Sequence, residues 1–193
     1  MNGRRWLGIG TATVCLLCLL AGCLRAPGAR YYTLAALAPA PTGATTEATL
    51  GVGPVRVSRH LRQPAMIRRT SAFEVRHCEF DLWADPLEED IPTVIADNLA
   101  RLTGAGRVLR SPWPAAETPK RQISLAVEAC ELNPDGQAEL RVRWEVRDPA
   151  GTLLDGATAT LREPAEGDIG QLAAAVSRAL LTLSRDLAAA VGR

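Results

Sequence analysis

Histidine is nearly absent from this 193-residue chain. His60 and His77 are the two present, and neither falls at a spacing from cysteine or acidic residues that would hold a metal ion. No serine sits in a G-x-S-x-G setting, which removes the nucleophile elbow of α/β-hydrolases. Gly51-Val52-Gly53 is followed by neither G-x-x-G nor a helix, so it is no nucleotide loop. An excess of charge of one sign is also lacking, with 22 Lys+Arg against 21 Asp+Glu and Lys120 as the sole lysine. A chain so close to neutral lacks the basic surface on which nucleic-acid binding depends. His77 stands beside Cys78, but neighbours in a strand point to opposite faces and cannot pair. The acidic group Asp85, Glu88, Glu89 and Asp90 suits a helix start, where carboxylates meet the positive end of the dipole. Neither an enzyme nor a cofactor is expected from these residues.

What is there begins at the N-terminus. Arg4 and Arg5 precede an uncharged apolar run, Leu7 to Leu20, shorter than the roughly 20 residues of a spanning helix. Leu20-Ala21-Gly22-Cys23 closes it. The layout is that of a secretory signal, and L-A-G-C resembles the lipobox of bacterial lipoproteins. The resemblance implies cleavage before Cys23, a diacylglycerol on its thiol and an acyl group on the new amine. Residues 1–22 are thus expected to be a signal peptide, 23–30 a lipidated tether and 31–193 one domain. One acyl chain anchors only marginally, whereas several hold a protein at a membrane essentially permanently. Leu24 follows the cysteine where an Asp would signal inner-membrane retention, which favours the outer membrane, on the side facing the periplasm.

Removal of the signal leaves 193 − 22 = 171 residues, enough for one domain with a real core. Cys15 and Cys18 leave with it. Cys78 and Cys130 remain, in an oxidising compartment. Both fall in expected strands, on the face opposite each strand's main apolar set, so a Cys78–Cys130 disulfide is one reading and two free, half-buried thiols the other.

Strands are expected at Tyr31–Leu34, Leu50–Val57, Phe73–Phe80, Val108-Leu109, Gln122–Leu132, Ala138–Arg147 and Thr152–Leu161. Gly53-Pro54 suggests a bulge or an edge irregularity. Residues 58–70 read as a basic connection carrying the apolar pair Met66-Ile67. Asp85-Pro86 opens a helix whose buried stripe is Leu87, Ile91, Val94, Ile95, Asn98, Leu99 and Leu102, ended by Gly104. The strand Ala138–Arg147 alternates cleanly, with Leu140, Val142, Trp144 and Val146 on one face and charged residues on the other. Asp168 caps a last helix striped by Ile169, Leu172, Val176, Leu180, Leu183 and Leu187. The fold class is α+β: a two-layer sandwich with a mainly antiparallel sheet of six or seven strands and two main helices on one face.

Tyr31-Tyr32-Thr33-Leu34, Gly51 to Val57, Pro64 to Arg69, Trp83 to Glu88 and Asn98-Leu99, in that order after a lipobox, resemble the ABC-type transport auxiliary lipoprotein family, the paraquat-inducible protein C type included. The resemblance implies a non-enzymatic outer-membrane lipoprotein. Its partners would be an MCE-domain (mammalian cell entry) protein and an inner-membrane ABC transporter or permease that move phospholipid, and the lipoprotein could itself assemble as a homo-oligomeric ring. Residue type and these motif matches place docking at Tyr31, Tyr32, Arg68, Arg69 and Trp83, because Arg and Trp are enriched at binding hot spots. The rival reading is a structural or assembly lipoprotein, pilotin-like or cell-wall-associated. Replacement Cys23→Ala is expected to leave a folded domain, unacylated and in the wrong place. Acyl labelling with an envelope-function assay at native expression checks this, and full function in the variant would refute the tether.

Overall fold

The computed structural model describes residues 28–40, 46–114 and 116–192. The expected signal peptide and Cys23, the expected lipidation site, lie outside the described residues. The domain is α+β, with two helices packed on one face of an open, mixed, eight-stranded sheet. The strands are β1 (Arg30–Tyr32), β2 (Thr46–Val57), β3 (Ala65–Arg69), β4 (Val75–Trp83), β5 (Ala105–Arg110), β6 (Arg121–Leu132), β7 (Gln137–Arg147) and β8 (Leu153–Pro164). The helices are α1 (Leu87–Thr103) and α2 (Leu172–Val191).

β6 is the spine. One edge carries β7 along its whole length, and β8 follows, in the antiparallel meander expected from residues 122–161. The other edge is shared. β2 pairs with residues 121–127, and β3 meets the far end at Arg68↔Leu132. β2 and β3 are therefore laid end to end along β6, joined by a short 3-10 turn at Arg59–Arg62. β5 flanks β2, while β4 and then β1 flank β3. The longest ladders are antiparallel, but β1–β4, β2–β5, β2–β6 and β3–β6 are parallel. The eighth strand is β3, which the sequence presented as a connection. Gly53 adopts φ +120°, a conformation open to glycine and rarely to other residues, and the β2–β6 register slips between Val52 and Val55. This is the irregularity expected there, although β2 is an interior strand.

A second register slip corrects the cysteine reading. Val127 faces Val142 and Ala129 faces Arg141, so Glu128 is the extra residue of a bulge. Ahead of it Ile123, Leu125 and Val127 point into the core. Beyond it the phase is reversed and Cys130 and Leu132 point there instead, both fully buried. Cys78 packs against the same core from β4. Both thiols are free. β3 runs between their strands, which puts the two backbones about 9–10 Å apart, beyond the ~7 Å limit for a disulfide. Burial pushes the Cys130 thiol up to about 12 and raises that of Cys78 as well.

α1 begins one residue later than expected. Pro86 occupies the cap position without a side-chain bond, and Gly104, at φ 61°, ends the helix. Leu87, Ile91, Val94, Ile95 and Leu99 are buried against the sheet. In α2, Leu172, Val176, Leu180, Leu183 and Leu187 are fully buried together with Ala175 and Ala179. α1 packs alongside α2. Asp168 caps the 3-10 turn that leads into α2, its Oδ1 accepting from the Gly170 amide at 2.9 Å.

The segment after β1, residues 33–40, has no regular structure, so its buried amides need side-chain partners. The helices supply them. The Leu34 amide donates to Asp90 Oδ2 (2.9 Å), the Ala35 amide to Ser177 Oγ (3.1 Å) and the Ala38 amide to Asn98 Oδ1 (2.9 Å). Asn98 Nδ2 then donates to Ser184 Oγ at 3.3 Å, tying α1 to α2. Arg101 closes the strap by donating to the Ala38 carbonyl at 3.0 Å. Burial lifts the Asp90 carboxyl above its ordinary range, an effect that the Leu34 amide opposes.

Asn98→Ala orphans a buried amide, which costs about 1–3 kcal/mol. The expected outcome is a lower Tm with faster hydrogen exchange at Ala38, and unchanged exchange there would remove Asn98 from this role. For the thiols, non-reducing mass spectrometry should count two alkylatable groups after unfolding. In the native protein Cys78 should react first and Cys130 only on unfolding. Because folding raises both thiol pKa values, their contribution to stability is full below about pH 8.5, the ordinary cysteine value, and declines as pH rises toward 12.

Candidate interaction surface

β1 is three residues long and pairs with β4 alone. Three backbone pairs are a weak hold, and side chains reinforce it. The Tyr32 hydroxyl donates to Asp81 Oδ1 at 3.1 Å, and the Arg30 guanidinium reaches the same oxygen at 2.7 Å. Burial raises the Tyr32 phenol pKa, and the bond to Asp81 raises it further. Tyr31, one residue away and facing the other side, is 67% exposed. Its backbone lies opposite Leu82, while Tyr32 lies opposite Trp83.

Trp83 is a core residue, 4% exposed. Its amide donates to the Pro64 carbonyl at 2.7 Å, and its ring forms one wall of a shallow cleft of about 260 Å³ between Pro64 and the start of α1. The Arg62–Glu88 pair, at 3.3 Å, stands beside this cleft.

Arg68 and Arg69 diverge, as strand neighbours must. Both terminal nitrogens of Arg68 donate to the Gly167 carbonyl at 3.0 Å, binding β3 to the loop ahead of α2. Arg69 turns to the open face and makes a two-pronged ion pair with the fully buried carboxylate of Glu131. Glu131 lies directly opposite Glu139 across β6–β7, a like-charge pairing that is unfavourable by itself. Arg141 (2.7 Å) and Arg162 (2.9 Å) converge on Glu139. Burial pushes the Glu139 carboxyl up, but these two guanidinium groups outweigh it and hold the group below its ordinary value. A groove of about 430 Å³ runs over this lattice.

The five residues expected at a docking site therefore do not form one patch. Tyr31 is on the free sheet edge, Tyr32 and Trp83 sit behind it, and Arg68 and Arg69 are engaged on opposite faces of β3. Sequence reasoning missed Phe73. Its expected place is the start of a strand, but it occupies the Thr70–Glu74 turn between β3 and β4 and is fully exposed. The run Thr70-Ser71-Ala72 ahead of it was the available signal, small and polar as turns are. Among the described residues, no three His, Cys, Asp or Glu side chains cluster as a metal site would require. His77 is exposed, and Cys78 packs inward.

Two solved structures share the fold. One is an uncharacterized protein, 19% identical, with a TM-score of 0.69 over 85% of this chain and 99% of its own. The other is a protein from Xanthomonas campestris, 17% identical, also at 0.69, over 83% of this chain and 93% of its own. No protein of curated function matches. The family model of the ABC-type transport auxiliary lipoprotein component matches residues 32–188, from the second residue of the tyrosine pair to the last turn of α2. The chain thus belongs to the ABC-type transport auxiliary lipoprotein family.

Proposed function

We propose that this protein is a non-enzymatic lipoprotein of the outer membrane that docks a periplasmic MCE-domain protein, and through it an inner-membrane ABC transporter, during phospholipid movement across the envelope. Family membership supports a role beside an ABC transporter. The observation that carries the finer reading is the strap. The chain that would lead from an acylated Cys23 passes through β1 and is then hydrogen-bonded into both helices by Asp90, Asn98 and Ser177. A tether joined so firmly to the core suits a protein whose task is to be held at a membrane and to grip a partner.

In this reading Tyr31 is the direct contact. It is a large amphipathic side chain, two-thirds exposed, on a strand whose outer edge is free among the described residues. A partner segment could add to that edge by main-chain bonds and cover the ring. Tyr32, Trp83, Arg68 and Arg69 hold β1, β3 and β4 in position behind it.

Capture of the lipidated protein from envelope membranes is expected to recover an MCE-domain protein, whereas recovery of secretin or peptidoglycan machinery in its place overturns the proposal. Tyr31→Ala should weaken that capture by about tenfold, or ~1.4 kcal/mol, with an unchanged Tm. Trp83→Ala should instead cost about 3–5 kcal/mol of stability. A folded Trp83→Ala protein with undiminished capture would show that the ring is dispensable for docking.

A further inference from the structure

We infer that the β3–β4 hairpin is a second membrane contact, with Phe73 seated at the lipid headgroup level beside the acylated N-terminus. The inference rests on the lipid anchor at Cys23 proposed above.

Phe73 is fully exposed at the tip of this hairpin. Its turn is well tied. The Thr70 and Ser71 amides donate to the Glu74 carbonyl at 3.0 and 3.3 Å, and the Phe73 amide donates to Ser71 Oγ at 3.2 Å. Glu74, the one acid in the turn, is paired with Arg76 at 2.9 Å, which offsets its charge.

Topology places the tether at the same end. β1 runs parallel to β4, so the chain enters β1 from the end where β4 begins, which is the hairpin end. Tyr31 lies opposite Leu82, Leu82 opposite Ala65, and Val75 opposite Arg69. Four steps of β3 thus separate the level of Tyr31 from that of Val75, about 13 Å at ~3.3 Å per residue. Phe73 stands two residues beyond Val75, bringing the separation to about 20 Å. Cys23 is eight residues before Tyr31, and eight residues reach at most about 28 Å. The anchor therefore has enough chain to sit level with the Phe73 tip while β1 keeps its place.

The arrangement selects a bilayer over a protein as the occupant. A binding hot spot on a protein is ringed by further contacts that exclude water. Phe73 stands on a narrow turn beside Ser71 and Ala72, and the exposed pair Leu153 and Leu154 is at the opposite end of the sheet, where β8 begins. A bilayer interface takes up an apolar side chain such as Phe by burying it at the headgroup and acyl boundary, without such surroundings. The acyl chains supply the affinity, and with the tip held next to the surface at high effective concentration, one ring is enough to choose an orientation.

Phe73→Trp provides the probe, with the wild-type protein as the fluorescence blank. The lipidated variant is reconstituted in vesicles of phosphatidylethanolamine and phosphatidylglycerol whose acyl chains are brominated. The new indole should be quenched by the bromines and lose most of its accessibility to aqueous iodide. The unacylated Cys23→Ala form of the same variant, mixed with identical vesicles, should remain iodide-accessible. Flotation and the acyl mass on Cys23 report the anchor separately. A protein that floats while its new indole stays as open to iodide as in the unacylated form overturns the membrane contact and leaves the anchor standing. A protein with no acyl mass that fails to float overturns the anchor, and this inference with it. Phe73→Ser, with an unchanged Tm and retained flotation, would confirm that the ring is not part of the fold.

Discussion

The side-chain amide of Asn98 joins three parts of the molecule that have no backbone hydrogen bond in common. Its oxygen accepts from the irregular segment after β1, its nitrogen donates to Ser184 on α2, and its own backbone belongs to α1. It is completely buried. A polar group in that position is costly unless it is partnered, and here the partners come from residues 38 and 184. The strap is bonded to both helices, which also meet each other directly, and it has no regular structure of its own. The node therefore favours one arrangement of the helix layer over other packings of two apolar stripes.

On the opposite face a different constraint operates. β6 accepts two strands on one edge, and the bulge at Glu128 lets its two halves present opposite parities to the core. The same reversal brings Glu131 to the open face, directly across from Glu139. Arg69, Arg141 and Arg162, from three different strands, neutralise the pair. β3, β6, β7 and β8 are thereby linked by side chains as well as by their ladders. Removing one partner of a buried ion pair leaves an uncompensated charge, which destabilises a protein far more than the intact pair stabilises it. The lattice thus penalises any register in which those strands fail to meet.

Much of this was legible from residue order. The alternation in β7, the stripe of α2 and the Gly53-Pro54 irregularity each follow from a local period or a local backbone requirement. What failed was non-local. β3 is five residues with two adjacent arginines, and alone it looks like a solvated connection. Its arginines are engaged by Gly167 and Glu131, nearly 100 and about 60 residues further along. The parity of Cys130 could not be read through a bulge that only the partner strand defines. Residue type misplaced Trp83, because a tryptophan that anchors an interface and one that fills a core have the same sequence signature. Phe73 reads as part of a strand because it alternates with Val75, whereas the turn that carries it is defined by the pairing of β3 with β4.

The parallel entry of β1 has a mechanical consequence. A pull on the chain before Arg30, directed toward the hairpin end, acts lengthwise along β1. The three pairings with β4 and the Tyr32–Asp81 and Arg30–Asp81 contacts then bear the load together, in shear. A strand entering from the other end would be peeled off one pair at a time, each failing at a fraction of the force. Behind β1 the load passes to Asp90, Ser177 and Asn98, and so into the helices. Drag on a bulky partner would in this way be taken up by the core of the domain, with the sheet edge left intact.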